Sequence, residues 1–405
     1  MRTAKENPQG KEPERAKKRI AILLGTDLHY DRRVLAGILA YVREKPDWQL
    51  LRSLGLPAIH RSFFGEIEAD GFIVHSDPPK ERIPGLERAK IVTIHELPRK
   101  SCYEVHTVVN NDYETGRLIA WHMMERGYTN FAFKGMRNRP FSAHRQRGFT
   151  EELRRNGIRE VPSLLLRRSY RHTKASYFRV EEICDWLQSL PKPIGIMANH
   201  DLDALEVVEA CSLLGLNIPH EVGIAGVDND PFYTGASEPP LTSVEQATFR
   251  IGFEAAQRLD DLLSGGQPES RIHRIPPERV VVRASTEAEA VEDPLVSRAI
   301  GVIRANPQTI RTAEELAHQV GASRSLLDRR FKESLGRTPF AEIQRHRLEH
   351  ARRLLVHSRW SMTDIAFDCG FGDLKDFSIF FKRQTGMRPS LYRREHARSA
   401  TAESQ

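Results

Sequence analysis

SMTDIAFDCGFGDLKDFSIFFKRQTG, residues 361–386, has the grammar of two helices joined through glycine. Ser361 or Thr363 can cap a helix that ends near Gly370. The chain turns through Gly370 and Gly372, and a second helix carries Asp373 to Gln384. Fifty residues upstream the pattern recurs in TAEELAHQVGASRSLLDRRFKESLG, residues 312–336. There an amphipathic helix over 313–320 ends at Gly321, and Ser323 can cap a second helix running to about Ser334. A short helix, a glycine turn and a helix with polar, basic and short side chains on one face is helix-turn-helix logic. An amphipathic stretch over 339–356 joins the two units. Ser325 and Lys375 hold equivalent places in them. A rigid connector would therefore let one chain address adjacent major-groove segments, ~34 Å apart along the duplex.

The charge distribution agrees. The chain of 405 residues carries 61 Lys and Arg against 54 Asp and Glu. From Leu295 onward there are 20 basic and 12 acidic residues, which leaves 41 and 42 before it. The basic excess belongs to the C-terminal quarter, as expected of a nucleic-acid module attached to a near-neutral partner. Arg337, Arg388, Arg393 and Arg394 are candidates for phosphate contacts.

This segment resembles the DNA-binding domain of the AraC/XylS family, most closely over IAFDCGF (365–371) and FSIFFKRQTGMRPSLYRR (377–394). The resemblance implies that Ser325, Asp328 and Arg329 form the exposed face of the first recognition helix. Lys375, Asp376 and Ser378 would form that of the second. Arg329 and Lys375 suit guanine O6 and N7, and the aspartates suit the cytosine amino group. Ile379 departs from the polar or basic residue common in the family. Leu327, Phe331, Ile365, Ala366, Phe371, Phe377, Phe380 and Phe381 are expected in the core.

Before Leu295 the pattern changes. Short apolar runs at 20–24, 71–74, 91–94, 130–133, 194–198, 223–227 and 279–282 alternate with amphipathic stretches such as 112–126 and 141–156. Continuous apolar strands alternating with helices predict a parallel sheet covered on both faces, with ligands outside the carboxyl ends of the strands. Polar clusters follow several of these strands, at 27–32, 75–77, 141–145, 199–201 and 228–230. Carboxylates and amides match the hydrogen-bonding directions of sugar hydroxyls, and an aromatic ring offers an apolar face. The region lacks a phosphate loop, a dinucleotide fingerprint, an H-E-x-x-H motif and a nucleophile elbow, so an enzyme is not expected.

VNNDYETGRLIAWHMMERGYTNFAF (109–133), RQRGF (145–149), ANHDLDAL (198–205), GIAGVDND (223–230) and PPLTSVEQ (239–246) resemble the sugar-sensing domain of the LacI/GalR family. That resemblance implies a two-lobed, type I periplasmic-binding-protein-like α/β fold with an effector held between the lobes. It carries ligand contact onto Arg145, Asp201 and Asp228, with Tyr30 and Asp31 after the first strand. Asp112 is expected to cap its helix or close the lobe interface. A sensor of this kind fused to a double helix-turn-helix reader resembles the xylose-operon activators, as do YDRRVLAG (30–37) and GASRSLLDRRFKESLG (321–336).

The expected organisation is a disordered tail over 1–19, a sensor over 20–285, a linker over 286–294, an all-α reader over 295–396 and a second tail over 397–405. The expected partners are double-stranded DNA, a small sugar such as a pentose, RNA polymerase and a second copy of the chain. No cofactor, metal or catalytic residue is expected. His29, His75, His144 and His200 lack ligand spacing. No apolar run approaches the ~20 residues that span a bilayer, and four cysteines without paired spacing fit a reducing cytoplasm. A different carbohydrate pathway, or a solute-binding transport component, is the competing reading.

Overall fold

The computed structural model describes residues 17–25, 28–52, 67–75, 86–96, 102–166, 175–287, 293–305 and 308–396. Asp27, Ser76, Asp77, residues 288–292 of the expected linker, residues 1–16 and residues 397–405 lie outside the described residues. The chain forms two compact units. Unit 1 is residues up to Val109 together with Thr248–His273, and unit 2 is Asn110–Ala247 with Arg274 onward.

Unit 1 is built on β1 (Lys18–Leu23), β2 (Trp48–Arg52), β3 (Gly71–Val74), β4 (Lys90–Thr93) and β5 (Val105–Asn110). These pair parallel in the order β5-β4-β3-β1-β2, and a later strand, Ile272–Ile275, adds beside β5. Helices α1 (His29–Val42) and α7 (Thr248–Leu263) pack backbone to backbone. A Cβ on Gly37 would lie 1.9 Å from the Phe249 carbonyl oxygen, and one on Gly252 would lie 1.9 Å from that of Val34. Only glycine permits this approach.

Unit 2 holds a second six-stranded sheet. It comprises β6 (Asn130–Met136), β7 (Ser163–Leu166), β8 (Ile194–Ala198), β9 (Val222–Val227), β10 (Thr242–Glu245) and β12 (Arg279–Val281), while β11 is the strand Ile272–Ile275 of the first sheet. The order is β12-β10-β9-β8-β6-β7, parallel except for β12, which runs antiparallel to β10. Side chains alternate between faces, as strand geometry requires. Phe131 and Phe133 pack with α2 (Asp112–Glu125) and α3 (Pro140–Arg155), while Ala132 packs with α4 (Ala175–Ser189) and α5 (Asp201–Leu214). A short helix, α6 (Pro231–Ala236), follows β9. Asn111, not Asp112, caps α2: its side chain accepts from the Glu114 N–H at 3.2 Å.

The helical remainder of unit 2 runs α8 (Pro294–Ala305), α9 (Ala313–Gln319), α10 (Arg324–Leu335), α11 (Pro339–His357), α12 (Met362–Asp368), α13 (Leu374–Thr385) and α14 (Pro389–His396). Capping boxes open α9 at Thr312 and α12 at Ser361, while Ser323, Thr338 and Asp373 cap α10, α11 and α13. Gly321 and Gly370 take φ values of 69° and 78° in the two turns, which spares them the steric cost an L side chain would meet there. Two cores result. Leu316, Leu327 and Phe331 centre the first, and Ile365, Phe377 and Phe381 the second. Helix α11 serves both, giving Ile343 to one and Leu348, Ala351 and Leu355 to the other. Thr286, at the head of the expected linker, is instead packed into unit 2, 2.7 Å from the Thr242 hydroxyl and 2.9 Å from His122 Nε2.

Candidate functional site

In unit 2 the polar groups gather at the carboxyl ends of β6, β8 and β9. Asp201 opens α5 immediately after β8, and its carboxylate has two donors. Ser243 Oγ lies 2.5 Å from Oδ1, and the Asp230 N–H donates to Oδ2 at 2.8 Å. Gly226 leaves room for it, since a Cβ there would come within 2.3 Å of Oδ1. Asp201 is 1% exposed. Burial, reinforced by the nearby Asp228 charge, raises its pKa well above the usual carboxylate range, against the pull of its hydrogen bonds.

Those hydrogen bonds reach the loop that carries Asp228. Asp228 and Asn229 have φ of 101° and 48°, a left-handed pair that L residues hold only when their surroundings impose it. Every backbone N–H across the loop is fixed. That of Asp228 donates to Val244 O at 2.9 Å, that of Asn229 to Ser243 Oγ at 2.9 Å and that of Asp230 to Asp201. Arg283 adds a 2.7 Å hydrogen bond to Asn229 Oδ1. Asp201 is therefore the anchor of the loop, and Asp228, with 26% of its side chain exposed, is the carboxylate it presents.

Arg145 lies 3.9 Å from Asp228 Oδ1. Its Nε donates to Asp112 Oδ1 at 2.7 Å, Nη1 donates to the Asn199 carbonyl oxygen, and the guanidinium stands 5.3 Å from the Phe141 ring centre. Burial raises the Asp112 carboxyl, and the Arg145 charge offsets part of that. Asn199 is fully buried with neither Oδ1 nor Nδ2 partnered among the described residues. This donor–acceptor pair can serve a ligand hydroxyl. Sequence reading missed Asn199, Ser243 and Phe141, although PFSAHR and ANHD place the first and last in polar clusters after strands.

In unit 1, Asp31 and Tyr30 lie in the first turn of α1. Asp31 Oδ1 is 2.5 Å from His75 Nδ1, the Tyr30 ring centre is 5.5 Å from that of His75, and His95 stands 6.0 Å beyond. Tyr30, Asp31, His75 and His95 thus form one cluster at the carboxyl ends of β1, β3 and β4.

In the reader, Ser325, Arg329, Lys375 and Asp376 are exposed on α10 and α13, and Ser378 is half-buried. Asp328 is half-buried too and is committed to Arg324, whose Nε donates to it at 2.7 Å. The open polar face of α10 is accordingly Ser325 and Arg329. Ile379 is 57% exposed on α13, an apolar side chain of the sort that contacts a thymine methyl. Arg388 and Arg394 are exposed as expected, but Arg337 is not available to phosphate. Its Nε lies 2.5 Å from Glu342 inside the protein.

Residues 120–286 match the periplasmic binding protein-like domain and residues 316–395 the helix-turn-helix domain. The chain is 28% identical over 389 residues to the xylose operon regulatory protein of Escherichia coli K12, covering 93% of this chain and 96% of that one. The Haemophilus influenzae counterpart is also 28% identical, over 384 residues. This chain is a sugar-sensing transcription regulator, similar to the xylose operon regulators over nearly its whole length. The solved structure of the xylose-binding transcription activator xylR superposes with a TM-score of 0.55 at 26% identity, covering 94% of this chain and 99% of that one. XylR-like architecture therefore extends over the sensor and the reader together, which accounts for both polar clusters and both helix-turn-helix units. Among the described residues no helix is long and apolar enough to cross a membrane, and no cluster of His, Cys, Asp or Glu is arranged to hold a metal.

Proposed function

We propose that this chain activates a pentose catabolic operon, with an aldopentose such as xylose as its effector. Arg145, Asp201 and Asp228 bind sugar in unit 2, and Tyr30 and Asp31 bind sugar in unit 1. Arg145 and Asp228 contact it directly, and Asp201 fixes the loop. The observation that carries this reading is the over-determined loop at Asp228, set beside Arg145 and the unpartnered Asn199 amide, on a chain that also bears two capped helix-turn-helix units. Arg329 reads a base edge from α10. Lys375 and Asp376 engage DNA from α13, where Ile379 and the half-buried Ser378 leave less polar readout.

The regulator works by binding and not by catalysis. It acts in the cytoplasm, at the nucleoid, as a homodimer on two half-sites, and recruits RNA polymerase. Sugar changes DNA affinity only through its different affinity for two states of the protein. Footprinting on the DNA upstream of its own gene, with and without a panel of aldoses, tests the reading. Protection that changes with a pentose is expected; protection under no condition overturns it. A change with a hexose instead would support regulation of another carbohydrate pathway.

A further inference from the structure

Helix α3 carries two buried charges on one face. Arg145 lies near its start and Glu152 seven residues on, ~10 Å along the axis. Arg145 is tied to Asp112 at the start of α2. The two helices meet without side chains between them. A Cβ on Gly116 would lie 2.0 Å from the Arg145 carbonyl oxygen, and one on Gly148 would lie 1.9 Å from that of Tyr113. Backbone packed on backbone leaves no slack, so α2 and α3 move as one body.

The far end of this body meets the reader. Arg117 of α2 grips Glu349 of α11 with two hydrogen bonds, Nη1 to Oε2 at 2.5 Å and Nη2 to Oε1 at 3.0 Å, and its Nε donates to Glu114 at 2.7 Å. Arg352 of α11 donates to Glu152 of α3 at 3.2 Å. Tyr392 of α14 donates to Glu114 at 3.3 Å. None of these six side chains belongs to a residue more than 7% exposed. Charges so deeply buried are costly to strand, so each arginine is held to its carboxylate and a shift of one imposes a shift of the other. Helix α11 is also the element that contributes to both reader cores.

We propose that α2 and α3 are the body through which the sugar site acts on the reader, and that the Arg117–Glu349 and Arg352–Glu152 pairs are its coupling joint. A change at Arg145 is delivered to α11, and α11 resets both helix-turn-helix units together. The proposal rests on the sugar-responsive reading above and adds the route.

The test uses the full chain, D-xylose and the upstream operator. Sugar affinity is measured by calorimetry and operator affinity, with and without sugar, by fluorescence anisotropy. Arg117→Glu and Glu349→Arg are each expected to keep sugar affinity within about threefold of the parent. Each should abolish the sugar-dependent change in operator affinity, which for coupled sites is typically about 5–150-fold. The double charge swap should restore most of that change. If a single reversal fails to fold, Glu349→Gln leaves Arg117 paired with Glu114 and Arg352 with Glu152, and is expected to fold and bind sugar with the coupling lost. A parent protein that responds to sugar beside reversed or neutral Glu349 variants that respond equally overturns the joint alone. A parent that binds none of the aldoses overturns the functional reading beneath it.

Discussion

Asp201 and Glu342 are both carboxylates almost without exposed surface, at 1% and 0%, yet their acidities are displaced in opposite directions. At Asp201, burial and the neighbouring Asp228 charge raise the pKa well above the usual range, and neutral donors offset part of it. At Glu342 burial pushes the same way, but Arg345, Arg337 and His346 outweigh it and hold the carboxyl well below that range. Burial alone does not settle the charge of a group; the count of full charges facing it does. The sensor leaves Asp201 short of cations, whereas α11 surrounds Glu342 with them. One is a carboxyl poised to carry a proton, and the other is a fixed anion.

That contrast can be broken most forcefully at the fixed anion. Glu342→Gln leaves Arg337 and Arg345 buried against a neutral amide, and should cost about 3–5 kcal/mol in denaturant unfolding; a loss under 1 kcal/mol would show that the arginines find other partners. Arg145→Met removes a cation from the side that has few. It should weaken sugar binding by about 2–3 kcal/mol, read by calorimetry, while operator affinity without sugar stays within about twofold. Acid titration of stability should separate the two carboxylates, at about 1.4 kcal/mol per unit of pKa displacement. The depressed Glu342 and Glu152 stabilise the fold above their unfolded pKa of ~4.3, and this is lost as pH falls through their folded values. The raised Asp201 does the reverse. Its contribution is complete below ~3.9 and is lost as pH rises through its folded value. Asp201→Asn should thus flatten the fall in unfolding midpoint that sets in above pH ~3.9 and leave the acid-side loss carried by Glu342 and Glu152 in place. The smallest effect is expected from that substitution at neutral pH. An amide can accept from the Asp230 N–H and donate to Ser243 Oγ, so both hydrogen bonds keep a counterpart and stability should move by about 1 kcal/mol or less.

Much of the architecture could be read from the chain because its determinants are local. Capping residues at Ser323 and Ser361, glycines in the turns at 321 and 370, and the apolar spacing of Phe377, Phe380 and Phe381 all act within a few residues. The central strands β3, β6, β8 and β9 are apolar on both faces and announce themselves. Strands β2, β5, β7, β10 and β11 were not anticipated. VHTVVN and TSVE mix polar and apolar residues, and become strands because a neighbour offers its edge. Asn111 and Asp112 are both competent to cap α2, and the partner that claims Asp112 lies 33 residues away. Arg145 and Asp228 stand 3.9 Å apart, and the anchoring role of Asp201 depends on Ser243, 42 residues on. The same limit explains Arg337. An arginine just before a helix cap looks like a phosphate contact until a buried glutamate is found to claim it.

The glycine contact between α1 and α7 bears on the order in which the molecule is made. Its halves, Gly37 and Gly252, are separated by the whole first segment of unit 2. On the ribosome, β1 to β5 and α1 emerge long before the helix that covers them. At ~5–20 residues per second the wait is roughly 10–40 s. Throughout that interval the apolar flank of α1 has no partner, and the first segment of unit 2 is being extruded beside it. Completion of unit 1 thus waits on the synthesis of residues 248–263.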